Sequence, residues 1–160
     1  MTPIQLYTYQ TPNGHKASIM LEETGLPYDV HTVNIEKGDQ NSPGFLALNP
    51  NNKIPAIVDS DGPGGKPYTV IESGAILMYL AEKTGKFMPK DMAARYDVIQ
   101  WLMVQMGGVG PMFGQFNHFK MFPPKGGDSY GLDRYQSEVK RLYGVLEKRL
   151  GEKPWLGEGE

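Results

Sequence analysis

The 160-residue sequence contains no cysteine. This absence excludes disulfide bonds, metal sites built on thiolates and any reaction that uses a cysteine of the protein as its nucleophile. The three histidines, His15, His31 and His118, are scattered along the chain and lack the spacing of metal ligands. The sequence therefore predicts no metal site.

The chain also lacks a strong excess of charge and any long apolar run. Its net charge of −2 gives no electrostatic field that would attract nucleic acid or an anionic membrane. No apolar run approaches the ~20 residues of a membrane span. The first residues, MTPIQLYTY, lack the basic start and apolar core of a signal peptide. We therefore expect a cytoplasmic protein with no nucleic-acid or membrane partner.

What the sequence does contain is the composition of a globular chain, with 39% hydrophobic and 21% charged residues. In the first half, strand and helix patterns alternate. The predicted strands are Ile4–Tyr9, Tyr28–Ile35, Pro55–Asp59 and Tyr68–Ile71, and the predicted helices are about His15–Thr24, Ser42–Leu48 and Ser73–Lys83. We assign residues 1–87 to an α/β domain in βαβ-α-ββα order, with a mixed four-stranded sheet.

Strand patterns end at the linker KFMPKD, residues 86–91. A strongly apolar helix is predicted over Met92–Met106, and the following Gly107–Pro111 should kink or break it. A second helix is predicted over Gly131–Leu150, where apolar residues recur at three- and four-residue spacing. We assign residues 92–160 to an all-helical domain.

A Pro-Asn-Gly sequence, Pro12–Gly14, stands between the first strand and the first helix. Asn-Gly is a strong hairpin signal, yet a helix pattern follows it. We predict a turn that exposes Asn13 at the sheet edge where open α/β sheets bind ligands. The Asn13 amide there suits donation to a thiolate or an oxyanion. The other interpretation is a turn residue that satisfies its own loop.

Two further segments carry candidate binding residues. Pro55 opens a strand, and the Ile54–Pro55 bond is either an ordinary trans bond or a cis bond that presents the Ile54 backbone to a ligand. Glu72 and Ser73 lie at a strand-to-helix junction. Ser73 either caps its helix or binds a ligand carboxylate at the helix N-terminus while Glu72 receives an ammonium group.

Two segments resemble, in their order and spacing, the core of a glutathione transferase: NPNNKIPAIVD (49–59) and ESGAILMYLAEKTG (72–85). Members of that family have a thioredoxin-like N-terminal domain and an all-helical C-terminal domain. TPNGHK (11–16) resembles the nu-class group of bacterial glutathione-dependent disulfide-bond oxidoreductases and a fungal prion-forming nitrogen regulator. KGDQ (37–40) and the segments at 100–119 and 133–150 also resemble that group, so the resemblance covers nearly the whole chain.

The resemblance implies the roles of individual residues. In the family the proline is cis, the preceding residue pairs with the cysteinyl backbone of glutathione, and an acidic residue and a serine hold the γ-glutamyl head. In the nu-class group a Thr and an Asn replace the usual activating residue. Carried over, the catalytic residues are Thr11 and Asn13. The implied glutathione-binding residues are Gln40, Lys53, Ile54, Pro55, Glu72, Ser73 and Arg134.

The resemblance further implies a glutathione-dependent disulfide-bond reductase or glutathione transferase. It would be a homodimer that takes glutathione or oxidised glutathione and a small electrophile or disulfide, without a metal. One alternative is a non-catalytic binding or regulatory module, although the Asn/Gln-rich tail of the fungal regulator is absent. A second is a structural domain like those on translation factors, which often lose the acidic residue and serine. The family's helical domain normally continues beyond PWLGEGE (154–160), so we expect an incomplete C-terminal domain.

The segment Met103–Phe122 is rich in methionine and phenylalanine. Such residues at helical spacing usually form core, and we favour that interpretation. The functional alternative is a cleft wall that adapts to varied apolar substrates. We expect His118 to be structural or exposed, and His15 to be a bystander rather than a base.

Overall fold

The computed structural model describes residues 2–123 and 129–157, and the chain divides into two compact units, Met1–Phe87 and Met88–Glu160. The first unit contains β1 (Ile4–Thr8), α1 (Pro12–Thr24), β2 (Tyr28–Thr32), α2 (Pro43–Leu48), β3 (Ala56–Asp59), β4 (Tyr68–Ile71) and α3 (Ser73–Thr84). The second unit contains α4 (Met92–Val104), α5 (Gly110–Met121) and α6 (Tyr130–Glu152). Within the described ranges, every helix is too short or too polar to cross a membrane.

The sheet has the strand order β2-β1-β3-β4, with β1 and β2 parallel and the other neighbours antiparallel. The predicted mixed four-stranded sheet is therefore confirmed. Tyr7 lies opposite Ala56, and Ala56 lies opposite Ile71. As a result, the end of β1, the start of β3 and the end of β4 share one edge of the sheet. We call this edge, marked by these three residues, the upper edge.

Alternation along the strands builds a core on each face of the sheet. Leu6 and Ile57 are opposite one another and fully buried on the face covered by α1 and α3. On the other face Ala56, Phe45 and Val33 form a separate buried cluster. Burial of each large side chain contributes roughly 1.5–3 kcal/mol, so these two clusters hold the strands in register.

Helix α1 begins earlier than the sequence pattern suggested. The prediction of a turn at Pro12–Gly14 is wrong, because all three residues belong to the first turn of α1. The Thr11 hydroxyl caps the helix by accepting from the Gly14 N–H at 3.1 Å. Pro12 occupies the first helical position, where its fixed φ suits the helix and its missing N–H costs nothing. These two residues override the turn preference of Asn13-Gly14.

Of the two outcomes predicted for Gly107–Pro111, a kink or a break, the break does not occur. Helix α4 continues through a π-helical segment, Gln105–Val109, directly into α5. The Gly110 N–H donates to the carbonyl of Gln105, five residues earlier. This wider turn absorbs an extra residue and brings Pro111 into the first turn of α5, where proline is tolerated.

Helices α5 and α6 pack through aromatic side chains. The rings of Phe113 and Tyr143 lie 5.0 Å apart, and those of Phe119 and Tyr135 are stacked at 5.6 Å. A Cβ atom at Gly131 would lie 2.5 Å from the Phe119 ring, so the small residue permits this approach. Phe113 and Phe119 are only half-buried by these contacts. Met103, Met121 and Phe122 are exposed, so the core interpretation is wrong for these three residues.

At the opposite edge of the sheet, Asp59 is almost fully buried, with 1% of its surface exposed. Its carboxylate accepts hydrogen bonds from the Tyr79 hydroxyl at 2.6 Å and from the Asp61 N–H at 3.0 Å, and it pairs with Lys83 at 2.9 Å. Burial opposes ionisation, but the Tyr79 and Lys83 contacts outweigh it and hold the pKa of Asp59 below its ordinary value. Asp59 therefore joins β3 to α3 as a charged group.

We predict that Asp59→Asn lowers the free energy of unfolding by about 2–3 kcal/mol at neutral pH, because it removes charge-assisted hydrogen bonds inside the fold. Since the folded pKa of Asp59 is depressed, its contribution is present above the unfolded pKa and is lost as the pH falls through the folded pKa. Urea unfolding from neutral to acid pH should show the difference from wild type shrinking below about pH 4. Asp61→Asn, which keeps the backbone contacts, serves as the control; an equal loss in both variants would contradict the account.

Candidate functional site

Three chain segments meet at the upper edge because of the strand register. The first turn of α1 follows β1, the loop ending in Pro55 precedes β3, and the Glu72–Ser73 junction follows β4. Six of the predicted site residues lie in these segments, and we call them the edge site: Thr11, Asn13, Ile54, Pro55, Glu72 and Ser73. The register thus brings together residues that are 62 positions apart in sequence, from Thr11 to Ser73.

The first part of the edge site is the start of α1. Thr11 is half-buried, whereas Asn13 is exposed in the first turn. The Thr11 hydroxyl accepts from Gly14 and still carries its own proton, which it can donate to another acceptor. Both side chains stand at the positive end of the helix dipole, where an anion is favoured.

Gly14 fixes the position of this helix start. A Cβ atom there would lie 2.3 Å from the carbonyl oxygen of Tyr9 and 2.4 Å from the Thr8 hydroxyl oxygen. Both distances are far inside van der Waals contact, and the Tyr9 oxygen belongs to the backbone. Only glycine therefore allows the first turn of α1 to pack this closely on the end of β1.

The second part of the edge site is the loop before β3. Asn49 is buried, donates from Nδ2 to the carbonyl of Lys53 at 2.7 Å, and accepts from the Asn51 N–H at 2.9 Å. The Ile54–Pro55 bond is cis, as the family resemblance implied. Sequence reasoning missed Asn49 as the residue that organises the loop. Its signal was the turn-forming run Asn49–Asn52, in which an asparagine side chain commonly closes a local turn.

The third part is the junction between β4 and α3. Glu72 has a φ of 68° and a ψ of 118°, in the region that disfavours side chains, while its carboxylate is exposed. Asn51 donates to this carboxylate at 3.4 Å. Such backbone conformations cost about 1–3 kcal/mol and concentrate at functional sites. Ser73, the first residue of α3, is buried with 5% of its surface exposed, beside the N–H groups of the helix start.

Gln40 and Lys53 lie in segments that are tied to each other. Gln40 belongs to a short 3-10 turn, Asp39–Asn41, and its Nε2 donates weakly to the carbonyl of Ile35 at 3.4 Å. The Asn52 side chain donates to the Asn41 side chain at 2.8 Å, which joins this turn to the loop that holds Lys53. Lys53 itself is exposed.

Arg134 belongs to α6, in the second unit. It is exposed and lines a groove of about 770 Å³ together with Met112, Tyr130, Glu138 and Arg141. The short ion pair between Glu138 and Arg141 holds the pKa of Glu138 below its ordinary value, so the groove carries charges of both signs.

The three histidines, His15, His31 and His118, lie on different elements, α1, β2 and α5. His15 is exposed in α1 and lines a cleft of about 390 Å³ beside β1 and β2, and His118 is exposed with its ring against Phe119 and Phe122. In the part of the chain that the structure describes, no three His, Asp or Glu side chains are grouped to hold a metal ion.

Residues 11–83 match the family described as glutathione S-transferase, N-terminal domain. This stretch includes all three parts of the edge site. Among curated relatives, the disulfide-bond oxidoreductase YfcG of Escherichia coli (strain K12) is 52% identical over 155 residues, which are 96% of this chain and 72% of YfcG.

Solved structures of similar proteins carry the same fold. One is a glutathione transferase from Pseudomonas putida, with one glutathione disulfide bound per subunit. Its structure matches this chain with a TM-score of 0.94 and 54% sequence identity, and the match covers 98% of this chain and 68% of that protein. Another is a glutathione transferase from Burkholderia graminis, with two glutathione molecules bound per subunit. It matches this chain with a TM-score of 0.93 and 58% sequence identity, and the match covers 98% of this chain and 66% of that protein.

We predict that Gly14→Ala destabilises the protein by about 1–3 kcal/mol, because the added methyl group forces the start of α1 away from the end of β1. The matched control is Gly44→Ala in α2, where a Cβ atom meets nothing within 4 Å. That change should be neutral or slightly stabilising, since alanine favours helix. Urea unfolding of both variants compares them, and equal stability would show that the contact at Gly14 carries no constraint.

Proposed function

The chain belongs to the glutathione S-transferase family, and we propose that it binds glutathione at the edge site and uses the glutathione thiolate as its nucleophile. The observation that carries the proposal is the meeting of a helix start, a cis-proline loop and a strained acidic junction at one sheet edge. The proposed reaction is thiol–disulfide exchange, with attack on an electrophilic carbon as the related transferase reaction. We also propose a cytoplasmic homodimer.

The γ-glutamyl head of glutathione is a zwitterion and suits the β4–α3 junction. Its carboxylate would accept from the N–H groups at the start of α3 and from the Ser73 hydroxyl, at a helix end that favours anions. Its ammonium group would pair with Glu72, whose carboxylate Asn51 orients. The backbone of Ile54, beside the cis bond to Pro55, would pair with the cysteinyl backbone. Further contacts are proposed for three residues: Gln40, Lys53 and Arg134.

Bound in this direction, glutathione would bring its sulfur to the start of α1. A free cysteine thiol has a pKa of about 8.5, and lowering it by two units requires about 2.7 kcal/mol of differential stabilisation. A hydrogen bond to a charged group contributes roughly 1.5–3 kcal/mol. One or two such bonds, from Asn13 and Thr11, together with the helix dipole are therefore enough to populate the thiolate at neutral pH.

In the exchange reaction the glutathione thiolate attacks one sulfur of a disulfide. The old sulfur–sulfur bond breaks, a mixed disulfide forms, and the second sulfur leaves as a thiolate that takes a proton. A second glutathione thiolate then attacks the mixed disulfide, which releases the other thiol and glutathione disulfide. The ligands of the two similar structures, two glutathione molecules in one and glutathione disulfide in the other, are the reduced and oxidised forms of this pair and support the proposal. Because this 160-residue chain contains no cysteine, the proposal assigns both attacking thiolates to glutathione.

We predict that Asn13→Ala lowers kcat/KM for glutathione-dependent disulfide exchange by at most about threefold at neutral pH, because a rise of about one unit in the pKa of the bound thiol, from about 6.5 to about 7.5, cuts the thiolate fraction from roughly three quarters to roughly one quarter. The defect should shrink as the pH rises, since the thiolate then forms unaided and a more basic thiolate is also more nucleophilic. The measurement is the pH profile of kcat/KM, with His15→Ala as the exposed neighbouring control.

Identical profiles for wild type and Asn13→Ala would reassign activation to Thr11 or to the loop backbone. Glutathione binding without turnover in wild type would favour the non-catalytic module.

Glu72→Ala and Ser73→Ala should each weaken glutathione binding by about 1–3 kcal/mol, because each leaves one charged end of the γ-glutamyl head without its partner. Titration calorimetry measures the affinity directly. Glu23→Ala, an exposed change on α1, provides the control for loss of a carboxylate. Unchanged glutathione affinity in both site variants would contradict the assignment of the γ-glutamyl head to Glu72 and Ser73.

A further inference from the structure

A contact between two asparagine side chains joins the two ends of the short helix α2. The Asn52 side-chain amide donates to the side-chain oxygen of Asn41 at 2.8 Å. Asn41 ends the 3-10 turn just before α2, and Asn52 lies in the loop just after it. We call this contact the asparagine clasp. It links two segments that the helix would otherwise connect only through its own length.

The backbone at Asn52 explains why an asparagine stands there. Its φ of 48° lies in the left-handed region, which glycine, asparagine and aspartate adopt more readily than other residues. The Asn52 N–H donates to the carbonyl of Asn49 at 3.0 Å, so this conformation belongs to the loop that Asn49 organises. Asparagine meets both requirements, because it tolerates the backbone conformation and supplies the amide that reaches Asn41.

Each half of the clasp is the sequence neighbour of a proposed ligand contact. Gln40 precedes Asn41, and Lys53 follows Asn52. Lys53 is exposed and supplies a cation. The Gln40 Oε1 atom is buried and, among the residues that the structure describes, it accepts no hydrogen bond. A buried acceptor without a donor is destabilising, and an N–H group of a ligand would relieve that cost.

The strand register gives the direction of glutathione along this loop. Strands β3 and β4 are antiparallel, and their pairing puts Glu72, just after β4, beside the start of β3. With the γ-glutamyl head at Glu72 and the cysteinyl residue at Ile54, the tripeptide continues along the loop toward Lys53. Its last residue is glycine, which carries a peptide N–H and a carboxylate. These two groups suit the Gln40 oxygen and the Lys53 ammonium group.

We propose that Asn41 and Asn52 are positioning residues whose clasp holds the Gln40 and Lys53 segments at the spacing that the glycyl end of the ligand requires. The site then prefers glutathione to γ-glutamylcysteine, which lacks only the glycine. The inference rests on the proposed glutathione site and adds a determinant of its specificity. Neither asparagine touches the ligand in this proposal. Loss of the clasp therefore leaves the γ-glutamyl and cysteinyl contacts in place, because other residues make them.

The test measures the affinities of the full chain for glutathione and for γ-glutamylcysteine by titration calorimetry, and compares their ratio between variants. Asn52→Gly removes the donor, and glycine adopts the φ of this position freely. Asn41→Ala removes the acceptor. Each change should lower the preference for glutathione by about fivefold, the order of one net hydrogen bond, while the affinity for γ-glutamylcysteine stays the same.

Two controls separate this role from a structural one. The double variant with Asn41→Ala and Asn52→Gly should show the same fall as either single variant, because both changes break one contact. Asn117→Ala removes an exposed asparagine of α5 and should leave the ratio unchanged. A general loss of stability would weaken the binding of both ligands equally and would not alter their ratio.

The outcomes distinguish the two proposals. If wild type binds both ligands equally, or if both single variants keep its ratio, the role of the clasp is overturned while the site stands. If Asn52→Gly lowers the ratio and Asn41→Ala does not, Asn52 acts without Asn41 and the clasp is again overturned. If wild type binds neither ligand, the proposed function itself fails.

Discussion

The alignment of Tyr7, Ala56 and Ile71 across three strands is the constraint on which the candidate site depends. Because β1 and β4 end where β3 begins, two helix starts and one loop emerge side by side. A shift of one residue in any of these pairings would also exchange the two faces of the strand and expose Leu6 or Ile57. The buried clusters on the two faces thus fix the register, and the register fixes which side chains meet.

The electrostatics of the site follow from the same arrangement. Helices α1 and α3 both direct their N-termini to the upper edge, so their unpaired N–H groups and dipoles favour anionic groups there. Glutathione offers two suitable anions, the sulfur as a thiolate and the carboxylate of its γ-glutamyl head. Glu72 is the acidic exception at this edge and suits the single ammonium group of the tripeptide. In the proposed binding mode, the two helix starts and Glu72 therefore pair with groups of opposite charge on glutathione.

Local sequence pattern was sufficient where a single physical rule decided the outcome. Alternation of apolar residues identified the strands, and Gly25 and Gly85, both with positive φ, ended their helices as expected. At Pro12–Gly14 two rules competed, and the Thr11 cap and Pro12 outweighed the turn preference of Asn-Gly. At Gly107–Pro111 the π-helical segment accommodated a proline that local rules treat as a break.

Other features depend on contacts between distant segments, and no local pattern could reveal them. The close approach at Gly14 requires the end of β1, and the contact of Asn51 with Glu72 crosses 21 residues of sequence. The family resemblance pointed to the edge-site residues, but it gave no role to Asn49, whose hydrogen bonds organise the loop before Pro55.

A crystal structure of this chain with oxidised glutathione tests the central claim most directly. The account predicts one γ-glutamyl head at Glu72 and Ser73, main-chain pairing with Ile54, and the sulfur of that half at the start of α1 within hydrogen-bond reach of Asn13 or Thr11. Glutathione bound away from the upper edge, or bound there with its sulfur directed away from α1, would contradict it.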